Sequence, residues 1–379
     1  MEGLQASVVL LLFLALLTIT IPASAKGQVD LVVRGSALFE SYRFSEGTGS
    51  SADRVSELSL PLTLSAQIGR RTALTVATGY ARVSVRDQGQ ETLVSGVLDT
   101  QLRLAFQAVP DRVTVFTTTS FPTGIASLAQ NDLSILNVLA SDVIGFSSAN
   151  LGGGGALGGG VAVSAPVGRM ALGLAASYTE NGTYQPVQGQ PGEFRPGGEM
   201  RVRLGFEGPI AQRSFLRTSG TFTHRGEDEV SGASQPSIGN TFSGSVSLDQ
   251  GLGATTLTLY VFDLFRSDSG LVQTPVGSVF LNRGNLLAAG AQWSFPLASG
   301  TSLTPRVEMR DSKSQTRGPD AGLRRLGRTI RFGLDLRHRL GQGTAIVLRG
   351  GRLTGSVLDN MDTELDVSGY RVSLLLEIL

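Results

Sequence analysis

Three short stretches carry charged side chains at a spacing of two or four: Arg201-Val202-Arg203, Arg306-Val307-Glu308-Met309-Arg310, and Arg331 with Asp335 and Arg337. That spacing puts each set on one face of an extended strand. A guanidinium on such a face can hold a carboxylate by two bonds, or raise the local potential for a passing anion. Nucleophilic and metal chemistry have less to draw on. His224 and His338 are the only histidines, and the chain has no cysteine, which excludes thiolate metal sites and a disulfide framework. No His-Glu-x-x-His, Gly-x-Ser-x-Gly or carboxylate cluster at metal spacing occurs. The reading is therefore non-enzymatic, with no catalytic residue, no metal site and no cofactor. A formal charge of +1 gives no reason to expect a nucleic-acid partner.

The elements that must position these charges are strands. In 58–68, Leu58, Leu60, Leu62, Leu64, Ala66 and Ile68 share one face against Ser59, Pro61, Thr63, Ser65 and Gln67. In 98–107, Leu98, Leu102, Leu104 and Phe106 oppose Asp99, Gln101, Arg103 and Gln107. The same contrast runs through 200–207, 303–310, 330–337 and the final stretch, where Val372, Leu374, Leu376 and Ile378 oppose Arg371, Ser373, Leu375 and Glu377. Period two with one apolar and one wet face is the signature of a half-buried strand.

Segmentation on this pattern gives 28–44, 55–67, 71–86, 92–108, 111–121, 156–166, 169–184, 198–208, 212–225, 237–250, 253–267, 282–296, 301–313, 326–340, 343–357 and 363–379. That is about sixteen strands, or fourteen if two weak segments are loops. The third, fifth and eleventh alternate least clearly. Connections after even-numbered strands are short, such as Gly69-Arg70 and Gly341-Gln342. Those after odd-numbered strands are mostly long, polar and glycine-rich, with 122–155 the longest.

A hydrophobic fraction of 41% is too low for a bundle of membrane helices. If the leucine faces meet lipid, every backbone N–H and C=O at that depth must pair within the chain, so the sheet must close. Short turns on one rim and long loops on the other are characteristic of transmembrane barrels. The expected fold is all-β, a single-chain transmembrane antiparallel β-barrel. A soluble two-sheet sandwich is the competing reading, but such domains rarely need sixteen strands. Val8 to Ile21 is a short apolar run followed by Pro22 and Ala23-Ser24-Ala25, an h-region with an A-x-A cleavage site. It predicts a signal peptide over 1–25 and a barrel over 26–379.

On this pattern the chain resembles Gram-negative outer-membrane β-barrels of the porin or small-solute channel kind. The resemblance implies the outer membrane of a Gram-negative bacterium as location. Its implied partners are outer-membrane lipid, the outer-membrane assembly machinery and small solutes. General porins are often trimers, and a homo-oligomer stays open here. The implied function is a channel for passive or facilitated diffusion, with a lumen lined by Arg34, Glu40, Asp99, Arg103, Arg201, Arg203, Arg306, Glu308, Arg310, Arg331, Asp335 and Arg337. The same groups pairing across neighbouring strands to hold the wall is the bland alternative.

Phe121-Pro122-Thr123-Gly124, followed by a long loop and Leu151-Gly152-Gly153-Gly154-Gly155, is similar to barrels that carry aromatic or fatty compounds. Residues 126–146 include Leu128, Leu133, Ile135, Leu136, Val138, Leu139 and Val143 at mixed spacings of three and four, which predicts one or two amphipathic helical turns. This loop is expected to fold at the mouth or into the lumen, with Asp132, Asp142, Leu133 and Leu136 at a constriction. A binding patch for a hydrophobic solute and an inert cap are the other readings, and a structural or adhesive anchor without transport is a third class of function.

Overall fold

A computed structural model of the chain describes residues 29–45, 52–87, 89–132, 135, 139, 141–148, 151–237, 239–267, 270–274, 277–281, 284–315, 323–358 and 363–378. The expected signal peptide over 1–25 lies outside the described residues, as do Leu133 and Leu136.

Sixteen strands form one antiparallel sheet. They are β1 (Val29–Phe44), β2 (Arg54–Ile68), β3 (Thr72–Asp87), β4 (Gln90–Val97 continued by Thr100–Val109), β5 (Val113–Phe121), β6 (Ala156–Val167), β7 (Met170–Asn181) and β8 (Glu199–Ala211). The circuit continues through β9 (Ser214–Arg225), β10 (Thr241–Leu252), β11 (Thr255–Arg266), β12 (Gly284–Ala298), β13 (Thr301–Gln315), β14 (Leu323–Gly341), β15 (Thr344–Leu358) and β16 (Glu364–Ile378). Each strand pairs with its neighbours in the chain, and β16 pairs with β1, from Val33 opposite Ile378 to Phe44 opposite Val367. The sheet closes on itself and leaves no free edge.

Outside the wall, Phe194–Arg195, Asp228–Val230 and Ala233–Gln235 make a small sheet at the loop rim. No helix among the described residues is long and apolar enough to cross a membrane.

The two faces of the wall separate as the alternation requires. Leu374, Leu334 and Leu204 are 47%, 48% and 52% exposed on the outside. Phe332, Val246, Val261 and Tyr370 extend the same apolar surface around the barrel. Alternate residues turn inward. Arg310, Arg331, Arg371, Glu40 and Ser59 come from five strands, yet all bond to residues 142–147, which requires that they project to the concave side.

Strict alternation is broken in β14, where Ser312 lies opposite Gly327 and Lys313 opposite Arg325, and in β4. Tyr80 lies opposite Val97 and Ala77 opposite Gln101, so Leu98, Asp99 and Thr100 face only Thr78 and Gly79. The extra residue is a bulge, which flips the parity of β4 and re-aims its side chains. Leu98 therefore packs against the interior cluster, whereas unbroken alternation placed it on the outer face with Leu102, Leu104 and Phe106.

An arginine on the lipid face of such a barrel costs about 2–4 kcal/mol near the bilayer midplane. Leu374→Arg is expected to lower stability by that order, read from urea unfolding of protein refolded into lipid vesicles. An unchanged midpoint would remove that face from the hydrocarbon.

Candidate functional site

The loop between β5 and β6 runs across the inner face of the wall, and successive backbone groups meet successive strands. The carbonyl oxygen of Asp142 accepts from Arg310 Nη1 at 3.2 Å on β13. Val143 O accepts from Thr329 Oγ1 at 2.9 Å, and Ile144 O from Arg331 Nη2 at 2.7 Å, both on β14. Gly145 O accepts from Arg371 Nη2 at 2.7 Å on β16. Ser147 N then donates to Glu40 Oε1 at 2.9 Å on β1, and Ser147 Oγ donates to Glu57 Oε1 at 2.7 Å on β2.

The wall groups of this clamp brace one another. Arg371 gives Nε and Nη2 to Glu40 Oε2 at 2.9 and 2.5 Å, and Tyr42 OH donates to the same oxygen at 2.7 Å. Glu40 is 0% exposed beneath the loop. Glu308 accepts from Arg310 Nε at 2.9 Å and from Tyr260 OH at 2.8 Å. Gly145 fits its place for two reasons. Its φ is +63°, in the region that favours glycine, and a Cβ there would overlap the Arg310 guanidinium.

Apolar packing supplies most of the adhesion. Leu128, Ile135, Leu139, Ile144, Phe146 and Leu151 of the loop are buried against Tyr42, Val55, Val83, Val94, Leu353 and Val367 of the inner wall. Phe146 meets Tyr42 edge to face at 5.3 Å. Each such side chain contributes roughly 1.5–3 kcal/mol on burial, against about 0.5–1.5 kcal/mol net for an ordinary hydrogen bond. Packing holds the loop to the wall, and the directional bonds fix its register. Ile135 and Leu139 are in helical conformation, and Gln130–Asp132 form a 3₁₀ turn.

The bulge in β4 fixes both ends of the loop. Asp99 Oδ1 accepts Gly124 N at 2.8 Å, and Oδ2 accepts Gly153 N at 2.6 Å. Thr123 Oγ1 accepts Thr100 N at 2.8 Å and donates to Leu98 O at 3.0 Å, which satisfies backbone groups left by the break. Gly152 to Gly155 return the chain to β6 along the edge of an open cavity of about 860 Å³. Its other walls carry Asp99, Arg103, Thr118, Tyr184, Arg201 and Arg225 from β4 to β9 and the following loops.

In this cavity the Arg103 guanidinium lies over the Phe116 ring, 4.5 Å from its centre. Glu199 holds Arg201 at 2.5 Å and Arg225 at 3.1 Å. At the rim above, Asp228 is buried and accepts Gly197 N at 2.7 Å, and burial pushes its carboxyl above the usual range.

The remaining predicted positions fall elsewhere on the inner wall. Asp335 sits between Arg306 at 3.6 Å and Arg349 at 3.2 Å. Arg337 reaches Glu377 at 2.9 Å. Arg34 and Arg203 are exposed, and with Arg103 they have no carboxylate within 4 Å among the described residues. Asp132 lies in the 3₁₀ turn, and Asp142 contributes its carbonyl to the clamp rather than its carboxylate. The clamp thus separates Arg310 and Arg331 from the cavity group of Asp99, Arg103 and Arg201. Arg371, Glu57, Thr329, Glu199 and Arg225 belong to these sites and were not singled out from sequence. Closure was the available signal for Arg371, because first and last strands pair and Arg371 falls opposite Glu40.

Removing one partner of a buried ion pair leaves the other charge uncompensated, at a cost of about 3–5 kcal/mol. Glu40→Ala is expected to destabilise by that order in urea unfolding, and adding Arg371→Met should recover part of the loss. Equal loss in the single and double variants would break the assignment of Arg371 to Glu40.

No protein-family model matches the chain, and no curated protein matches it by sequence. Among solved structures it is similar to Salmonella typhi OmpF in complex with daunomycin, at 13% identity and a TM-score of 0.47, over 92% of this chain and 98% of that one. Pseudomonas aeruginosa OpdQ gives 11% identity and a TM-score of 0.44, over 92% and 98%. OmpTdeltaL8, a loop-deletion mutant of an outer-membrane protein of Vibrio cholerae, gives 10% and 0.43, over 92% and 100%. At these values the likenesses add nothing to the architecture read from the strand pairing itself. The closed ring and its apolar outer belt are those of an outer-membrane type barrel.

Proposed function

We propose that this barrel is a diffusion channel of the Gram-negative outer membrane for small solutes, favouring anions and carboxylates. Loop 122–155 narrows the lumen toward the side built by β3 to β9. The observation that carries this reading is the polar cavity of about 860 Å³ beside the docked loop, with Arg103, Arg201 and Arg225 against Asp99 and Glu199. Asp99 spends both oxygens on backbone N–H groups, and Glu199 is shared by two arginines. The guanidinium excess raises the local potential for anions.

Transport of hydrophobic solutes along the loop has less support. Leu128, Ile135, Leu139, Val143, Ile144 and Phe146 are buried, so their surface is already covered.

Planar-bilayer recording tests both halves of the reading. Deleting 128–145 should raise single-channel conductance. Gly145→Val should do the same in smaller measure by displacing the loop from Arg310, which guards against a deletion that fails to fold. Wild-type conductance from a folded loop variant would overturn the narrowing. The double variant Arg103→Gln and Arg201→Gln should lower the anion-to-cation permeability ratio severalfold at low salt, and an unchanged ratio would overturn the selectivity.

A further inference from the structure

Just below the loop rim, the outer wall of β1 to β3 carries a row of arginines on adjacent strands. Arg43, Arg54 and Arg86 lie directly opposite one another on three adjacent strands. Glu40 and Tyr42 face the interior, so Ser41 and Arg43 between and beyond them face out, and cross-strand partners share that face. Like charges directly opposite across a sheet repel. Among the described residues none of the three has a carboxylate within 4 Å. The row ends at Glu91, opposite Arg86, whose Oε1 accepts Ser84 Oγ at 2.8 Å.

The rows beneath are ordered by polarity. Ser41, Ser56 and Ser84 form the next outward row, with Ser41 and Ser56 bonded at 2.9 Å and Arg54 Nε donating to Ser41 Oγ at 3.0 Å. Phe39, Leu58 and Arg82 form the row below that, where the apolar belt starts. Around the ring, Lys313, Arg325 and Arg328 gather on Asp311 at 3.9, 2.9 and 3.1 Å, which leaves that group cationic too. At the same end of β6 to β10 the outer face carries Leu157, Tyr178, Met200 and Phe242 instead.

The geometry points to a docking surface for a phosphate-bearing membrane lipid on the outer wall of β1 to β3. Its phosphate sits among Arg43, Arg54 and Arg86, its polar linkage lies along the serine row, and its acyl chains run down past Phe39 and Leu58. Charge complementarity selects the occupant. Repulsion along the arginine row is relieved by a phosphate, whose three or four oxygens accept from guanidinium forks on neighbouring strands. A zwitterionic headgroup brings its own cation and relieves less. The inference rests on the lipid-facing reading of the outer wall.

The test uses full-length protein in mixed micelles containing equal amounts of phosphatidylglycerol and phosphatidylcholine, with retained lipid identified by native mass spectrometry. Wild type should retain the anionic lipid preferentially. The triple variant Arg43→Gln, Arg54→Gln and Arg86→Gln should lose that preference by about a hundredfold, the product of three basic groups at a membrane surface. Arg213→Gln, in a turn at the opposite rim, should match wild type. Folding of each variant is checked by the heat-dependent shift in gel migration that a closed barrel gives. Equal retention of the two lipids by wild type, or unchanged selectivity in the triple variant, overturns the proposal. Protein that is monodisperse without detergent overturns the lipid-facing reading instead, a result distinct from a detergent-bound barrel with no lipid preference.

Discussion

A chain that presents a leucine-rich surface to hydrocarbon must satisfy its own backbone at that depth, because no water is there to do so. In this protein that requirement is met by the pairing of β1 with β16. Without that seam, two strand edges would each expose a row of unpaired N–H and C=O groups to lipid. The terminal strand is apolar on one face for the same reason. Leu374 and Val372 are exposed outward, while Arg371 and Ser373 turn in and meet Glu40 and Leu38 on the first strand.

Closure then creates a second problem, an interior too wide to be filled by wall side chains alone. One sector of it is filled by the loop between β5 and β6, which brings its own apolar core. The inner faces of β1 to β3 have responded at the loop end. Val55, Val83 and Val85 stand where the wet-face pattern would place polar groups. The opposite sector is left polar and open. The division is sharp at β4, where one extra residue lets Asp99 hold both ends of the loop while Arg103, beyond the bulge, faces the cavity.

The wall strands were legible in the sequence to within about four residues at their ends, since period two is imposed by lipid on one side and charge on the other. What remained obscure has physical causes. The third strand alternates weakly because Val83 and Val85 face a docked loop rather than water. The fifth does so because Thr117 and Thr119 hide outward hydroxyls by donating to Gly158 and Ala156 carbonyls, while Phe116 turns inward under Arg103. In the eleventh, Tyr260 spends its hydroxyl on Glu308. The site was less legible. Alternation says which side an arginine faces, but not whether a loop 150 residues or more away in sequence will cover it. Arg310 and Arg331 could not be told from Arg103 on pattern alone.

The electrostatics of the two sectors differ in a way that separates their roles. The clamp sets Arg310, Arg331 and Arg371 against Glu308, Glu40 and Glu57, and the loop adds only carbonyls, an amide and a hydroxyl. Charge there is balanced, and its members lie beneath the loop, where ions screen little. Arg103, Arg201 and Arg225 face Asp99 and Glu199 across an open cavity, and charge there is unbalanced. At physiological ionic strength the screening length is about 8 Å, so added salt weakens the field along the cavity. The same salt leaves the clamp in place. If the barrel is the channel proposed above, selection among solutes responds to ionic strength while the width of the passage does not, because different arginines carry the two tasks.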